Sequence, residues 1–265
     1  MSRLIKRAVF VGIRFLSMAR LFPNRLTVIT VGPEKLIEFD EIARMADLRP
    51  DDTVLDIGCG SGQQTLLLGR KCKRVIGIDL LASGINTAKD LARASGLSKK
   101  VEFICGDILD ADFPDGSFNK IVSFCVIEHI PDWQEVLKKA RQWLAPGGSL
   151  VISVDSLAPI KDEALIKKHK DQYSVAIYFN PQTLGAGLSE AGFSHFDIHP
   201  ILRSAQAKNN FVKAVTTHIS GGLNLVRLVD EYKRLRKAEN ETDSKDEGLF
   251  LVAKAYPQKT VLIEN

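Results

Sequence analysis

Short apolar runs and helical stretches alternate along most of this chain, and that alternation limits its fold more than any other feature. Runs of strand length rich in β-branched residues are TVLDIG (53–58), RVIGIDL (74–80), VEFIC (101–105), KIVSFCV (120–126) and SLVISV (149–154). Between them lie stretches with helical periodicity: QQTLLLGRK, ASGINTAKDLARASG and DWQEVLKKARQWLAPGG. Strands that alternate with helices connect by right-handed crossovers. The sequence therefore predicts a doubly wound α/β fold with a mainly parallel sheet covered on both faces.

Two further strands, near 195–201 and 248–255, bring the predicted sheet to seven. The stretch PQTLGAGLSEAGF (181–193) is predicted to form the helix before the first of them. Residues 203–247 contain two amphipathic stretches, FVKAVTTHI and LNLVRLVDEYKRLRK, and we expect them to form a helical cap inserted in the domain. A chain of 265 residues with 45% hydrophobic content can bury one sizeable core, so residues 31–265 are expected to form a single domain.

A glycine-rich turn follows the first predicted strand in VLDIGCGSG (54–62), where Gly58, Gly60 and Gly62 form the pattern G-x-G-x-G. A phosphate-binding loop requires a lysine and then a serine or threonine after its last glycine, but this chain continues with Gln63-Gln64. The dinucleotide pattern G-x-G-x-x-G requires a glycine where Gln63 stands. Both phosphate sites are excluded, and a nicotinamide-dependent dehydrogenase is excluded with them.

Two acidic residues narrow the choice of ligand. Asp56 stands two residues before Gly58, where its charge would oppose a pyrophosphate and suit a cation. Asp79 ends the second strand 21 residues after Gly58, where a carboxylate can accept both hydroxyl groups of a ribose. The ligand therefore has a ribose and a positive charge near the turn and lacks a phosphate there. S-adenosylmethionine, with its sulfonium and ammonium groups, meets these conditions.

Five stretches carry a family resemblance: VLDIGCGSG, VIGIDL, GDILD, FPDGSFNKIVSFCVIEHIPD and LKKARQWLAPGGSLVIS. In this order and spacing, the chain from about 48 to 155 resembles class I S-adenosylmethionine-dependent methyltransferases, of the broad small-molecule group that includes quinone-biosynthesis methyltransferases. The resemblance implies the Rossmann-like methyltransferase fold. Outside this region it covers topology only, so the methyl acceptor is not implied.

The resemblance also implies roles for the residues of these motifs. It places Asp56, Gly58, Gly60 and Gly62 around the methionine part of the cofactor and Asp79 with its neighbour Leu80 at the ribose. Asp107 would take the adenine amino group beside the Ile108 backbone, and Cys125 would line the floor near the sulfonium. For Asp107 the alternative is that its side chain caps a turn.

Glu128-His129 follows the fourth strand, on the side of the sheet where ligands bind in open α/β folds. His129 is the candidate catalytic residue, as a base that removes the acceptor proton. In some methyltransferases of the resembled family the pattern Glu-x-x-Glu-His binds a divalent metal. Here its first position is Cys125, which leaves the oxygen-rich site incomplete, so no metal is expected. The structural alternative is that Glu128 and His129 brace the turn before IPDW.

The amino terminus is basic and amphipathic. On a helical wheel one arc is shared by Arg3, Lys6, Arg7, Arg14 and Arg20, and apolar residues fill most of the rest. Residues 1–30 are therefore predicted to contain a helix that lies in a membrane interface, closes over the cofactor as a lid, or meets a partner. Arg14 stands in the middle of the apolar stretch, which disfavours both a spanning helix and a signal peptide.

Composition limits the class of acceptor. The net charge of +4 is mild and the chain after its basic amino terminus is near neutral, so no nucleic-acid partner is expected. The four cysteines lack metal-site spacing and are interpreted as reduced thiols, which favours a cytoplasmic protein. The basic amino terminus adds peripheral contact with a membrane surface as an alternative. Cations flank the apolar faces of the predicted cap and favour a lipid-like, aromatic or acidic acceptor: Lys213, Arg227, Lys233, Arg234, Arg236 and Lys237.

The predicted function is S-adenosylmethionine-dependent methyl transfer to a small-molecule or lipid-linked acceptor. Two alternatives stay open. One is a catalytically silent cofactor-binding module that regulates a partner. The other is an RNA methyltransferase, which the absence of a long basic stripe in the sequence disfavours.

Overall fold

A computed structural model describes residues 32–217, 225–243 and 247–257 of the chain. The predicted basic helix within residues 1–30 lies outside the described residues, so its role as lid, membrane contact or partner interface stays a prediction. Among the helices that are described, none is long and apolar enough to cross a membrane.

Helices and strands alternate along the described residues. The strands are β1 (Thr53–Ile57), β2 (Arg74–Asp79), β3 (Val101–Cys105), β4 (Phe118–Phe124), β5 (Leu144–Asp155), β6 (Phe193–Ile201) and β7 (Phe250–Pro257). The helices are α1 (Pro33–Ala46), α2 (Gln63–Gly69), α3 (Ala82–Ala94), α4 (Trp133–Trp143), α5 (Glu163–Tyr173), α6 (Pro181–Glu190), α7 (Ala205–Thr217) and α8 (Leu225–Glu241). One 3₁₀ turn, Ile127–His129, follows β4.

The seven strands form one sheet in the order β3-β2-β1-β4-β5-β7-β6. The pairs from β3 to β5 are all parallel, whereas β7 runs antiparallel to both β5 and β6. The predicted doubly wound, mainly parallel α/β fold is therefore confirmed. The chain order reverses between β1 and β4, and in open α/β sheets the crevice outside the carboxyl ends of such strands binds ligands.

Both faces of the sheet are buried along its central strands. In β1, Val54 belongs to one hydrophobic layer and Leu55, the next residue, to the other. Ile42 of α1 packs in the first layer, and Trp143 of α4 packs in the second. Successive side chains of a strand point to opposite faces, so apolar runs without alternating polar residues are what a sheet covered on both faces requires.

Two of the predicted boundaries differ from the structure for a clear local reason. β4 ends at Phe124 and not at residue 126, because Cys125 adopts a left-handed conformation (φ 51°) that takes it out of the strand. The helix before β5 ends at Trp143, so Pro146-Gly147-Gly148 lies within β5 and not at the end of the helix. The pairing of β4 with β5 shifts register there, between Phe118 and Lys120.

The predicted cap between β6 and β7 contains two helices, α7 and α8. α8 joins α1, since the Tyr232 hydroxyl donates to the Asp40 carboxylate and Arg236 Nη1 lies 3.1 Å from the same group. α7 joins α5, where the Phe211 ring centroid lies 5.1 Å from that of His169. The two helices thus pack on α1 and α5, the helices that supply side chains to the carboxyl end of β5.

Candidate functional site

The glycine turn after β1 combines backbone strain with open space. Gly58, Gly60 and Gly62 have φ angles of 73°, 53° and 79°, in the left-handed region that favours glycine. A Cβ on Gly58 would overlap the Val126 side chain, and one on Gly62 would lie 2.7 Å from Phe103. A Cβ on Gly60 would meet no atom within 4 Å in the part of the chain that is described. Gly60 therefore faces a space that a ligand can enter against the backbone.

Asp56 lies beneath this turn and is almost fully buried. Its Oδ2 accepts a hydrogen bond of 2.6 Å from the Thr65 hydroxyl at the start of α2, whereas no described residue bonds its buried Oδ1. Burial raises the pKa of Asp56 to about 7; the Thr65 bond lowers it and the charge of Asp79 adds to the rise. A buried carboxyl group with an unbonded oxygen fits a cationic ligand, which would supply both the bond and the charge.

Asp79 holds the turn from the end of β2. Its two carboxylate oxygens accept the backbone N–H groups of Gly60, at 2.8 Å, and Leu81, at 2.9 Å. Each oxygen keeps a second lone pair, so the same carboxylate can accept hydroxyl groups of a ligand. Leu80, beside it, is 66% exposed and presents an apolar side chain next to this carboxylate.

Asp107 and Ile108 follow β3 at the same edge of the sheet. Asp107 Oδ1 accepts the N–H of Leu109 at 2.9 Å, which is the turn-capping contact expected under the structural alternative. Ile108 is buried in the core layer that also contains Ile57 and Ile78.

Cys125 is fixed at the end of β4 by a chain of side chains. Its N–H points at Ser153 of β5, 3.0 Å from the hydroxyl oxygen and 3.2 Å from the carbonyl oxygen. The Ser153 hydroxyl donates to the fully buried Glu38 of α1, and Lys35 lies 2.8 Å from the other oxygen of Glu38. Burial raises the pKa of the Cys125 thiol well above its usual value, so the thiol is neutral.

A pair of buried carboxyl groups lies next to that thiol. One ligand atom from each of Cys125, Glu128 and Asp155 lies within 4.8 Å of the others. Glu128 Oε1 accepts the backbone N–H of Asp155 at 3.3 Å, and Glu128 Oε2 is buried without a hydrogen-bond partner from the described chain. Burial, reinforced by the charge of Asp155, raises the pKa of Glu128 well above its usual range.

His129 sits at the end of the 3₁₀ turn and is half-buried. Its Nδ1 lies 3.4 Å from the carbonyl oxygen of Ser174. Since a carbonyl only accepts, Nδ1 donates in this contact when it carries the proton, and a neutral ring in that tautomer has its lone pair on Nε2. Burial lowers the pKa of His129, with the Lys35 charge adding to the decrease and three backbone carbonyl contacts opposing it, so the ring is neutral near pH 7.

The predicted residues all lie at the carboxyl ends of β1 to β4, but they fall in two groups. Asp56, the three glycines, Asp79 and Leu80 surround the glycine turn, with Asp107 and Ile108 after the neighbouring strand. Cys125 and His129 belong to a second group with residues that the sequence analysis did not single out: Lys35, Glu38, Ser153, Asp155 and His169.

Of these additional residues, Asp155 alone carried a sequence signal. It is an acidic residue directly after the apolar run SLVISV, which is where site residues of parallel sheets occur. Glu38 and Lys35 lie in a helix rich in charged residues, and nothing in that pattern marks Glu38 as the one that is fully buried.

Comparison with known proteins identifies the class of domain. Residues 55–152 match the family model described as a methyltransferase domain. Together with the fold and the site, this match shows that the chain carries a domain of the class I S-adenosylmethionine-dependent methyltransferase family, as the sequence motifs predicted.

Among curated proteins, the chain is similar to Phosphoethanolamine N-methyltransferase 1 of Arabidopsis thaliana, with 36% identity over 168 residues, which is 63% of this chain and 33% of that protein. It is also similar to Ajmaline N-methyltransferase of Rauvolfia serpentina, with 33% identity over 138 residues, or 44% of this chain and 46% of that protein. The chain therefore spans about a third of the length of the phosphoethanolamine methyltransferases that it matches.

Solved structures share the fold at low sequence identity. Phosphoethanolamine N-methyltransferase 2 of Haemonchus contortus, crystallised with S-adenosyl-L-methionine, has a TM-score of 0.61 and 18% identity, covering 84% of this chain and 53% of that one. The cyclase SpnF has the same TM-score of 0.61 with 20% identity, covering 84% and 81%. Likeness at this identity establishes the fold, and the activity has to be argued from the site.

Proposed function

We propose that the protein binds S-adenosylmethionine and transfers its methyl group to a small-molecule or lipid-linked acceptor. The observation that carries this proposal is the pairing of an open cradle at Gly60 with the unbonded Oδ1 of Asp56 beneath it. A ligand with cationic groups and a ribose fits these residues, because the backbone of Gly60 can approach it closely and the buried carboxyl group of Asp56 can pair with a cation. The match to the methyltransferase domain model and the names of the curated relatives support the same function.

Each residue at the turn would contact a different part of the cofactor. Asp79 would accept the ribose hydroxyls with the lone pairs that its two backbone bonds do not use, and the exposed side chain of Leu80 would lie beside the ribose. Asp107 would approach the adenine amino group and Ile108 the ring. The bound cofactor supplies a methyl group on a sulfonium, and Cys125 would line the floor beneath it with a neutral thiol.

His129 would act at the acceptor. A neutral ring with its lone pair on Nε2 can accept a proton or orient a donor on the acceptor. Much of the rate of a methyl transfer can come from alignment of the two reacting atoms, which positioned side chains provide.

The test of cofactor binding is calorimetry with S-adenosylmethionine on the parent chain, Asp79→Ala and Asp110→Ala. Asp110 is an exposed acid that follows the neighbouring strand β3, so its variant is a matched control. We expect Asp79→Ala to weaken binding about tenfold or more, since a charge-assisted bond contributes about 1.5–3 kcal/mol, and Asp110→Ala to bind like the parent. No binding by the parent chain would refute the function, and equal affinity in Asp79→Ala would refute the ribose assignment.

Turnover separates an enzyme from the catalytically silent module. The protein is incubated with deuterated-methyl cofactor and a cellular extract of metabolites and lipids, and with an RNA fraction in parallel. A labelled small molecule or lipid supports the proposal, and label in RNA alone supports the RNA methyltransferase. Cofactor binding without label in either fraction would support the regulatory module.

A further inference from the structure

The cluster of Cys125, Glu128 and Asp155 lies at the carboxyl ends of β4 and β5, next to the proposed cofactor site. Val126, the residue after Cys125, fills the position that a side chain on Gly58 would occupy, so the two groups of residues are in direct contact. Within the cluster Cys125 is half-buried, whereas Glu128 is fully buried and Asp155 is 5% exposed. An incoming group would thus pass the thiol first and meet the carboxyl groups behind it.

The charges around this cluster leave Asp155 short of a cation. The charge of Lys35 acts on Asp155, but this ammonium pairs with Glu38 at 2.8 Å. His169 Nε2 lies 3.9 Å from Asp155 Oδ2. Burial, and to a smaller extent the neighbouring His129, lowers the pKa of His169 to about 4, so this histidine is neutral near pH 7. Burial raises the pKa of Asp155 to about 6 against the opposing charge of Lys35, so Asp155 is mostly ionised near pH 7.

Glu128 adds an independent indication of a ligand. Its Oε2 is buried and has no hydrogen-bond partner in residues 32–217, 225–243 and 247–257. Leaving such an atom unbonded is costly, so it calls for a hydrogen-bond partner from outside the described chain. The cluster therefore offers one negative charge and one unused hydrogen-bonding oxygen to a group that carries positive charge and several N–H donors.

We propose that Glu128 and Asp155, behind the Cys125 thiol, form the binding site for the amino group of the methyl acceptor, so that the acceptor is an amine and is methylated at nitrogen. This inference rests on the proposed function and names the acceptor class of the same site. An ammonium group has the charge that Asp155 lacks and the N–H donors that Glu128 Oε2 can accept.

The carboxyl groups also serve the proton balance of the transfer. An ammonium nitrogen has no lone pair, so Asp155 first takes one proton and leaves a neutral amine. The amine nitrogen then forms its bond to the methyl carbon as the carbon–sulfur bond of the sulfonium donor breaks, and the electron pair of that bond stays on sulfur as a thioether. The positive charge moves from sulfur to the methylated nitrogen, and the proton on Asp155 returns to solvent after release.

A hard divalent cation fits the same residues less well. The thiol is neutral, and burial raises the pKa of Glu128 well above its usual range, so the cluster supplies few of the negative charges that such a cation needs. Hard cations prefer six or more oxygen ligands with several negative charges, which three side chains of this kind do not supply.

The test uses a probe that places an amine at the reaction centre without requiring the natural acceptor. Sinefungin is a cofactor analogue in which a carbon bearing an amino group replaces the methylated sulfonium, and S-adenosylhomocysteine lacks any group there. We expect the full chain to bind sinefungin more tightly than S-adenosylhomocysteine in calorimetry. We expect Asp155→Asn to reduce that preference about tenfold and Glu128→Gln to reduce it less, with affinity for S-adenosylhomocysteine unchanged within about twofold.

The variants are chosen to keep the fold. Gln at 128 keeps an oxygen for the Asp155 N–H, and the exposed Glu190→Gln at the end of α6 is the matched control. Melting temperatures establish that each variant is folded. An undiminished preference for sinefungin in both folded variants would overturn the amine site. The amine site would also be overturned if added Mg²⁺ abolished the preference for sinefungin, because that result would assign the cluster to a metal. Failure of the parent chain to bind either analogue would instead refute the proposed function.

Discussion

At the scale of single residues, the site depends on carboxyl groups that the fold keeps out of water. Asp56, Glu128 and Asp155 are all buried, and burial is the main cause of the raised pKa of each. Such groups are unfavourable in an isolated folded chain unless a ligand pairs with them. Their grouping at the carboxyl ends of β1, β4 and β5 marks this edge as the place where cationic parts of ligands would bind.

His129 provides a prediction at this scale. Replacing it with alanine removes the imidazole whose Nδ1 contacts Ser174 and whose Nε2 carries the lone pair. If His129 acts on the acceptor, His129→Ala lowers kcat by about 10- to 1000-fold and leaves the affinity for S-adenosylhomocysteine near that of the parent. Steady-state kinetics with a labelled methyl donor and calorimetry give the two quantities.

The matched control is His195→Ala, which removes an exposed histidine from β6 at the far edge of the sheet. That variant is expected to turn over like the parent. Activity of His129→Ala within twofold of the parent, at equal melting temperature, would favour the interpretation that His129 only braces the turn.

The sequence predicted some of these residues and not others, for a physical reason. Asp56 and Asp79 stand at fixed spacing from a glycine turn, and short-range spacing is visible in a sequence. The contact of Glu38 with Ser153 joins residues 115 positions apart, and the contact of Glu128 with Asp155 joins residues 27 positions apart. Contacts of that kind form only when α1, β4 and β5 come together, so pattern alone does not reveal them.

At the scale of elements, the turn between β1 and α2 contains glycines of two kinds: those that neighbouring side chains require and one that leaves room for a ligand. Gly62 packs against Ala88 of α3 and Phe103 of β3, whereas Gly60 faces open space. Both have positive φ angles, so a side chain at either position strains the backbone by about 1 kcal/mol. Only at Gly62 would a side chain also collide with neighbouring elements.

The two alanine variants should therefore differ in kind. Gly60→Ala is expected to lower the free energy of unfolding by only about 1 kcal/mol and to weaken S-adenosylhomocysteine binding at least tenfold, because its methyl group enters the ligand space. Gly62→Ala is expected to lose a further 1–3 kcal/mol or so of stability through overpacking. Urea unfolding and calorimetry on both variants provide the comparison. Cofactor affinity retained in Gly60→Ala would mean that the ligand does not approach the turn there.

Element boundaries were predicted less well than element types. The β-branched runs identified β1 to β5, because strands buried on both faces of a sheet need continuous apolar stretches. The strands β6 and β7 were placed on two later stretches that fit strands. The end of β4 was placed two residues late, since Cys125 is apolar enough to continue the run but its N–H bonds Ser153 in a left-handed turn. The hydrogen bond that ends the strand is made by β5, which the local sequence does not contain.

At the scale of the whole molecule, the two proposed subsites are built by most of the fold. The cofactor side uses β1, β2 and α2, and the acceptor side uses α1, β4, β5 and α5, with α7 and α8 packed behind α1 and α5. The mainly parallel arrangement of the strands followed from the alternation of elements and the rule for crossovers. The packing of α7 and α8 was not predicted, because an amphipathic pattern shows that one face of a helix is buried but does not show which element covers it.

The buried acids also make the stability of the molecule depend on pH. Asp56 has a pKa of about 7 when folded and about 3.8 when unfolded, so between these values the folded chain holds a proton that the unfolded chain releases. Stability attributable to Asp56 is therefore present at low pH and is lost as pH rises from about 4 to about 7, by about 1.4 kcal/mol per pH unit. Across this interval the loss is on the order of 4 kcal/mol.

Comparison with Asp56→Asn isolates this effect. The charged or polar groups that face Asp56 are Thr65 from α2 and Asp79 from β2, and both are kept in the variant. Glu41 and His169, whose pKa values are lowered to about 2 and about 4, shift stability in the opposite direction, but they do so equally in both proteins. The free energy of unfolding of the parent minus that of Asp56→Asn should thus fall steadily from pH 4 to pH 7 and then stay level.

The same comparison of unfolding free energies, repeated with ligand, tests whether the ligand pairs with Asp56. S-adenosylhomocysteine carries an ammonium group, which would pair with the unbonded Oδ1 of Asp56 and lower its pKa towards that of the unfolded chain. At saturating ligand the difference between parent and variant should lose most of its pH dependence, because Asp56 is then ionised in both states above about pH 5. Urea unfolding from pH 4 to pH 8, with and without ligand, measures both curves. A difference that is flat in the absence of ligand would mean that Asp56 is ionised in the folded chain, and an unaltered slope at saturation would mean that the ammonium group does not reach it.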